Sequence, residues 1–417
     1  MAGGMHTDRA GPEVHHDPSY EWKAVLLLMI GFGLVGLDRW ILAPLFPAMM
    51  ADLKLSYADL GALVGVLALS WGVFSILAGN LSDRIGRRAV LIPALVVFSL
   101  LSGFTGLAGG MLALMLIRGL MGAAEGAFCP TSVAATGEAS HPRRRGFNQG
   151  LQMSSFALLG FGLAPIIATQ LLGLVSSWRV VFMLVALPGL VLAVVLFKVL
   201  RDPPHLRNRA AGRLATHGGS RWSDVLKSRN VLVATGALFC AMSCIFVMGA
   251  MTPNYLMDHL KIDVTTMGLI MSAMGWGGFV GEFALAGLSD YIGRRWATAI
   301  AFLGALVSLW FFAHAPADPW VLFGWLAALS LFGIGLLALL TGPVATEAVP
   351  AALTSSAIGV VSGAGEIFGG GVAPIVAGYV AQSYGIDKIF WVPLVGLSLG
   401  FFVSFLLRET APRRQPA

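Results

Sequence analysis

Charge is what this sequence is short of. Asp, Glu, Lys and Arg make up 12% of the 417 residues, about half the share of soluble globular domains. Apolar residues make up 57%, and the mean hydropathy is +0.81. These proportions exclude a cytosolic enzyme, a nucleic-acid binder and a disordered scaffold. Cysteine is scarce as well. Cys129, Cys240 and Cys244 all lie in apolar stretches, and an odd buried count builds no disulfide framework. No Cys or His pair has metal-ligand spacing, and there is no nucleotide loop, hydrolytic triad or ATPase motif. No catalytic activity, metal or cofactor is therefore expected. The first 21 residues are polar and the apolar run after them is broken by Asp38 and Arg39, so no cleavable signal peptide is expected. What the chain does have is long apolar runs and 52 glycines, the residue that lets helices approach closely in lipid.

A helix needs about 20 apolar residues to cross the hydrocarbon core. That window predicts twelve transmembrane helices, at 24–48, 57–79, 89–109, 111–135, 147–173, 180–200, 231–256, 265–288, 296–314, 320–346, 354–382 and 388–407. The fold class is thus an all-α membrane protein. Residues 1–21 are expected to be a disordered N-terminus and 22–200 a first six-helix bundle. Residues 201–229, basic and rich in Gly and Pro, read as a linker. Residues 230–408 form a second six-helix bundle and 409–417 a tail. Twenty-one of the 27 Lys and Arg residues fall in the loops on one side and four on the other. By the positive-inside rule both termini and the linker are cytoplasmic. The net charge of +6 is then a matter of topology and not a nucleic-acid signal, although the linker can also meet anionic lipid.

Between the second and third spans lies Gly79-Asn80-Leu81-Ser82-Asp83-Arg84-Ile85-Gly86-Arg87-Arg88. Between the eighth and ninth lies Leu288-Ser289-Asp290-Tyr291-Ile292-Gly293-Arg294-Arg295, at a constant offset of half the chain. Gly permits a tight turn, Asp is expected to cap a helix N-terminus, and Arg to bond helix-end carbonyls. The pair resembles the signature loop of the major facilitator superfamily, over essentially the whole chain. The resemblance implies two six-helix bundles around a central site, working by alternating access in a bacterial inner membrane. It also implies that Asp83, Arg84, Arg87, Asp290 and Arg294 latch the cytoplasmic side.

Buried charges in a bilayer are costly and mark function. Asp38 and Arg39 lie in span 1. Arg118 and Glu125 lie in span 4, seven residues apart and so on one helix face. Two acids and two bases at similar depth allow a neutral network, as a proton-and-anion site or as a static lattice. Arg39 and Arg118 suit capture of a carboxylate. Asp38 and Glu125 are candidates for proton coupling. Glu366, amid glycines in span 11, is either a further proton site or a helix-backbone partner. Glu282 reads as a gate or brace, and Glu138 and Glu347 as partners of the loop arginines. Gln152 and Tyr255 are further candidates for substrate contact, and Asn254 and Tyr255 end span 7 in Thr252-Pro253-Asn254-Tyr255-Leu256, which resembles the extracellular gate segment of the superfamily.

The Asp-Arg pair, the run Arg118-Gly-Leu-Met-Gly-Ala-Ala-Glu125-Gly, Pro130, Arg145-Gly146, Ala164-Pro165 and Trp178-Arg179 with Phe182 resemble the anion:cation symporter branch. That branch implies proton-coupled uptake of an organic anion, with these Asp, Glu and Arg residues in those roles. Spinster-type lipid transporters share the Asp-Arg pair and the Arg-to-Glu spacing. The chain departs from the branch at Val35-Gly36, at Trp71 and at Ile367-Phe368, where the branch carries hydroxyl or amide side chains. A site without those partners rejects a polyhydroxy acid. The expected substrate is a monocarboxylate or another small, relatively apolar carboxylate, with Trp40, Trp71, Phe74 and Trp276 as candidate walls. The expected partners are that anion, protons and the lipid bilayer, with the carrier acting as a monomer. The rival reading is a proton-driven exporter of amphipathic or lipid-like compounds. A non-transporting receptor on the same fold is a more remote one.

Overall fold

The computed structural model describes residues 17–141, 145–201, 222–350 and 354–411. The expected N-terminal and C-terminal segments and most of the linker lie outside these residues. So do the side chains of Asp83 and Arg84.

Among the described residues, twelve helices are long and apolar enough to cross a membrane. They are Pro18–Leu53, Tyr57–Ala78, Arg87–Thr105, Met111–Ala139, Asn148–Val175 and Trp178–Val199 (spans 1 to 6), then Arg229–His259, Val264–Ile292, Arg294–Ala313, Pro319–Val344, Ala357–Tyr384 and Ile386–Ser404 (spans 7 to 12). The helix of span 2 continues to Ile85.

Local chemistry sets the ends. Asp17 accepts from the amides of Ser19 and Tyr20 at 3.1 Å, with Pro18 in the first turn. Span 1 thus starts inside the stretch expected to be disordered, because an Asp cap and an N-terminal Pro are helix-start signals. Ser56 and Asp59 form a capping box on span 2, and Asp263 and Asp318 cap spans 8 and 10. Spans 2 and 8 both end at a glycine with positive φ, Gly86 at 101° and Gly293 at 97°. A side chain there would be strained.

Asp290 does not cap the following helix. Asp290 lies within the span 8 helix and pairs with Arg294 at 2.7 Å, because the turn glycine, and not the acid, sits at the helix boundary. Arg87 binds Glu138 at 2.9 Å and Ser82 Oγ at 2.7 Å. Its counterpart Arg294 binds Glu347 at 2.7 Å and also Ser289 Oγ. Each arginine ties its loop to the end of another helix in its own bundle.

Within the bundles, glycines allow near contact of backbones. A Cβ on Gly122 would lie 2.2 Å from the Leu67 carbonyl oxygen, joining spans 4 and 2. One on Gly277 would lie 2.0 Å from that of Ala327, joining spans 8 and 10. The two bundles meet where span 2 packs on span 11 and span 5 on span 8. The ends carrying Gly86 and Gly293 define the motif face, and those at Lys54 and Lys261 the far face.

Candidate functional site

The two halves share helix irregularities around the midline. Span 1 breaks at Ile41. Pro44, which brings no N–H to the carbonyl four residues back, breaks the ladder there. Asp38, Arg39 and Trp40 are the last residues before the break. Span 5 carries a π-helical turn at Ala157–Leu163 and span 11 one at Glu366–Val372. Each is followed by Ala-Pro (Ala164-Pro165, Ala373-Pro374), again where proline removes a donor. Glu366 is the first residue of its turn.

These irregularities bring five charges together, all nearly fully buried: Asp38, Arg39, Arg118, Glu125 and Glu366. Arg39 forms an ion pair with Glu366, linking span 1 of one bundle to span 11 of the other. Its guanidinium also lies 4.6 Å from the Phe246 ring centroid and 5.8 Å from that of Trp71. Asp38 accepts from Ser102 Oγ of span 3 at 2.9 Å. Arg118 reaches the carbonyls of Asp38 and Arg39 through Nη1, at 3.4 and 3.5 Å, while its Nε and Nη2 have no hydrogen-bond partner. Both Glu125 oxygens likewise have none. A narrow pocket here is lined by Arg39, Trp40, Leu42, Ala43, Val64, Leu67 and Arg118.

The expected quartet of charges is therefore a quintet. The ion pair runs to Glu366 of the other bundle, and neither Asp38 nor Glu125 lies within ion-pair distance of either arginine among the described residues. With all five ionised the cluster carries a net charge of −1. Trp71 reaches the site beside Arg39, and Trp40 lines the pocket and packs on Phe161 and Phe246 at 4.2 and 5.3 Å. Phe74 and Trp276 are 43% and 48% exposed and do not line it.

Two expected contacts lie elsewhere. Gln152 donates to Ser132 Oγ at 2.8 Å, joining span 5 to span 4 on the motif side. Tyr255 turns into the second bundle, among His259, Phe312 and Phe390. Glu282 has no hydrogen-bond or ion-pair partner among the described residues.

The far side is closed by residues of which sequence reasoning had named only Asn254. Tyr57 Oη of span 2 donates to Asp258 Oδ2 of span 7 at 2.7 Å. Asn254 reaches the same oxygen at 3.3 Å and Met50 Sδ at 3.2 Å. Asp258, one helical turn beyond Asn254, was the readable signal: an acid facing an amide at a span end.

The chain matches the family model described as Major Facilitator Superfamily over residues 28–257 and 233–417. It belongs to that superfamily, and is a multi-pass membrane transporter, not an enzyme. It is 30% identical over 276 residues to a hexuronate transporter of Bacillus subtilis, covering 65% of this chain and 65% of that protein. It is 26% identical over 400 residues to a probable sulfoacetate transporter of Cupriavidus necator, covering 89% and 90%. A solved structure of a bacterial homologue of the human lysosomal transporter Spinster, inward-facing and occupied, superposes with a TM-score of 0.80 at 18% identity. That superposition covers 94% of this chain and 97% of the other.

Proposed function

We propose that this chain is a proton-coupled importer of a small organic anion, of the anion:cation symporter type. Its motif face is cytoplasmic, as the basic loops indicate. The observation that carries the reading is Arg118: a buried guanidinium lining the pocket, with two nitrogens unpaired, beside a buried Glu125 whose oxygens are also unpaired. A static lattice would satisfy these groups or replace them with apolar packing. A site that must take up an anion and a proton together leaves them open. Arg39 and Arg118, which both line the pocket, hold the carboxylate between them, while Asp38 and Glu125 take protons that offset its charge. The relatives named above are a hexuronate transporter and a probable sulfoacetate transporter, and both of those named solutes are small anions. The pocket's apolar wall (Leu42, Ala43, Val64, Leu67) offers no partners for sugar hydroxyls, which favours a compact, less polar acid.

The same apolar wall favours a second reading, proton-driven export of an amphipathic or lipid-like compound. Thermal stabilisation of the purified protein separates the two. The panel is short and aromatic monocarboxylates, sugar acids and lysolipids, at acidic and neutral pH. Stabilisation by monocarboxylates, stronger at acidic pH, is expected. Stabilisation by lysolipids alone transfers the site to the exporter. In proteoliposomes Arg118→Ala abolishes binding of the acid. Glu125→Gln loses accumulation driven by a pH gradient but retains counterflow. Equal loss of both activities refutes a coupling role for Glu125.

A further inference from the structure

Glu366 is chemically what the proposed substrate is: a carboxylate. It sits on Arg39, the second guanidinium of the pocket, and reaches it from the opposite bundle. Its surroundings are built for exchange. Gly369, Gly370 and Gly371 follow within the same π-helical turn, a rare helix form frequent at functional sites. Arg39 Nε has no hydrogen-bond partner, so its fork has capacity beyond the bond to Glu366.

Resting on the organic-anion reading, we propose that Glu366 is a tethered substrate mimic. It occupies Arg39 in the empty carrier and gives way to the substrate's carboxylate when it takes a proton. Two consequences follow. The empty carrier can reorient because Arg39 never travels through the membrane without a counter-charge, which would be costly. The substrate is a monocarboxylate with a compact apolar or aromatic body, because a carboxylate on Arg39 places that body beside the Phe246, Trp71 and Trp40 rings.

The other charged or titratable groups around Glu366 are Arg39 of span 1, and Glu125 and Cys129 of span 4, which lie within its electrostatic reach. Asp38 and Arg118 stand behind them. Any pH dependence of binding is shared among the acids of this cluster, so the test removes Glu366 alone.

Binding of benzoate, as a representative aromatic monocarboxylate, is measured on the detergent-purified full chain between pH 5 and 8. Net uptake and counterflow are measured in proteoliposomes. Glu366→Gln is expected to bind benzoate about tenfold tighter at neutral pH, the gain due when a competitor leaves the binding-competent state only a tenth populated. Its pH profile flattens, net uptake falls and counterflow persists. Glu366→Asp, one methylene shorter, loosens the tether and binds with intermediate affinity. Weaker or unchanged benzoate binding in either folded variant overturns the proposal, and so does net uptake by Glu366→Gln at the wild-type rate. If the wild type binds lysolipids and no carboxylate at any pH, it is the organic-anion reading that fails.

Discussion

Replacing Gly61 with alanine adds one carbon where the two bundles touch. That Cβ would stand 2.3 Å from the Pro374 carbonyl oxygen and 3.2 Å from Gly378 Cα, about 1 Å inside ordinary contact. The obstacle is the backbone of span 11, so no rotamer change relieves it. Overpacking of this kind costs about 1–3 kcal/mol. In a rigid core the whole cost would appear as lost stability. If the carrier opens by parting its bundles on the far side, this contact is lost on opening, and the cost falls on the far-closed conformation alone. The equilibrium then shifts toward a far-open state by about 5- to 150-fold. Gly275→Ala does the same between spans 8 and 5, where its Cβ would lie 2.1 Å from the Gly162 amide nitrogen. Gly122→Ala is the control: its clash with the Leu67 carbonyl lies inside one bundle and persists in both states. The assay is labelling of Thr169→Cys, a buried far-half position facing Gly268, by a membrane-impermeant maleimide added from the far side. Cys129, Cys240 and Cys244 are replaced by alanine in this background. Gly61→Ala and Gly275→Ala are expected to raise the labelling rate, and Gly122→Ala to lower Tm without raising it. A fall in Tm with unchanged labelling in Gly61→Ala refutes the reasoning.

Two further outcomes are expected. Tyr57→Phe removes the hydrogen bond to Asp258 and weakens far-side closure by about 1.5–3 kcal/mol, the range for bonds to charged acceptors; the same labelling assay reads it as faster modification with little change in Tm. Glu409 caps the start of span 9: burial opposes its ionisation, but the amides of Ala411, Arg294, Arg295 and Thr410 win and hold its carboxyl below the usual glutamate range. Its stabilisation is complete above the ordinary glutamate value and is lost as pH falls through the lowered one. The Tm advantage of wild type over Glu409→Gln should therefore shrink as pH drops below about 4, and a constant advantage would count against the cap.

Much of the architecture was legible because lipid imposes a one-dimensional rule: a span must be long and apolar, and the structure finds all twelve. The repeated loop was legible for a related reason, since its turn needs a residue tolerant of positive φ and both copies carry one. Of the loop acids Asp290 was misread, because Asp at a loop suggests a cap, and only the backbone shows that it is still inside a helix. At the centre, the four charges of spans 1 and 4 could be placed by depth and helical phase. Their partners could not. Whether Glu366 meets Arg39 or a neighbouring backbone depends on how span 11 lies against span 1, which no periodicity within either helix encodes. Tyr255 shows the converse: the sequence offers it for substrate contact at a span end, but its ring turns into its own bundle, and the side chain one turn away, Asp258, is the one that faces the other bundle.

The π-helical turn at Glu366–Val372 has a consequence for the chain's tolerance of length change. Such a turn holds one residue more than an α-helical turn, a surplus stored without breaking the helix. Deleting a single glycine from Gly369–Gly371 would let span 11 relax to regular α geometry. That segment winds less per residue than an α-helix, so losing one residue there would leave the two flanks of span 11 in nearly the same relative phase. Glu366 and the surface that packs on span 2 through Pro374 and Gly378 would keep their faces. A one-residue deletion in the regular helix that follows, Ala373–Tyr384, has no such buffer and would rotate the far end by about 100° against the carboxylate.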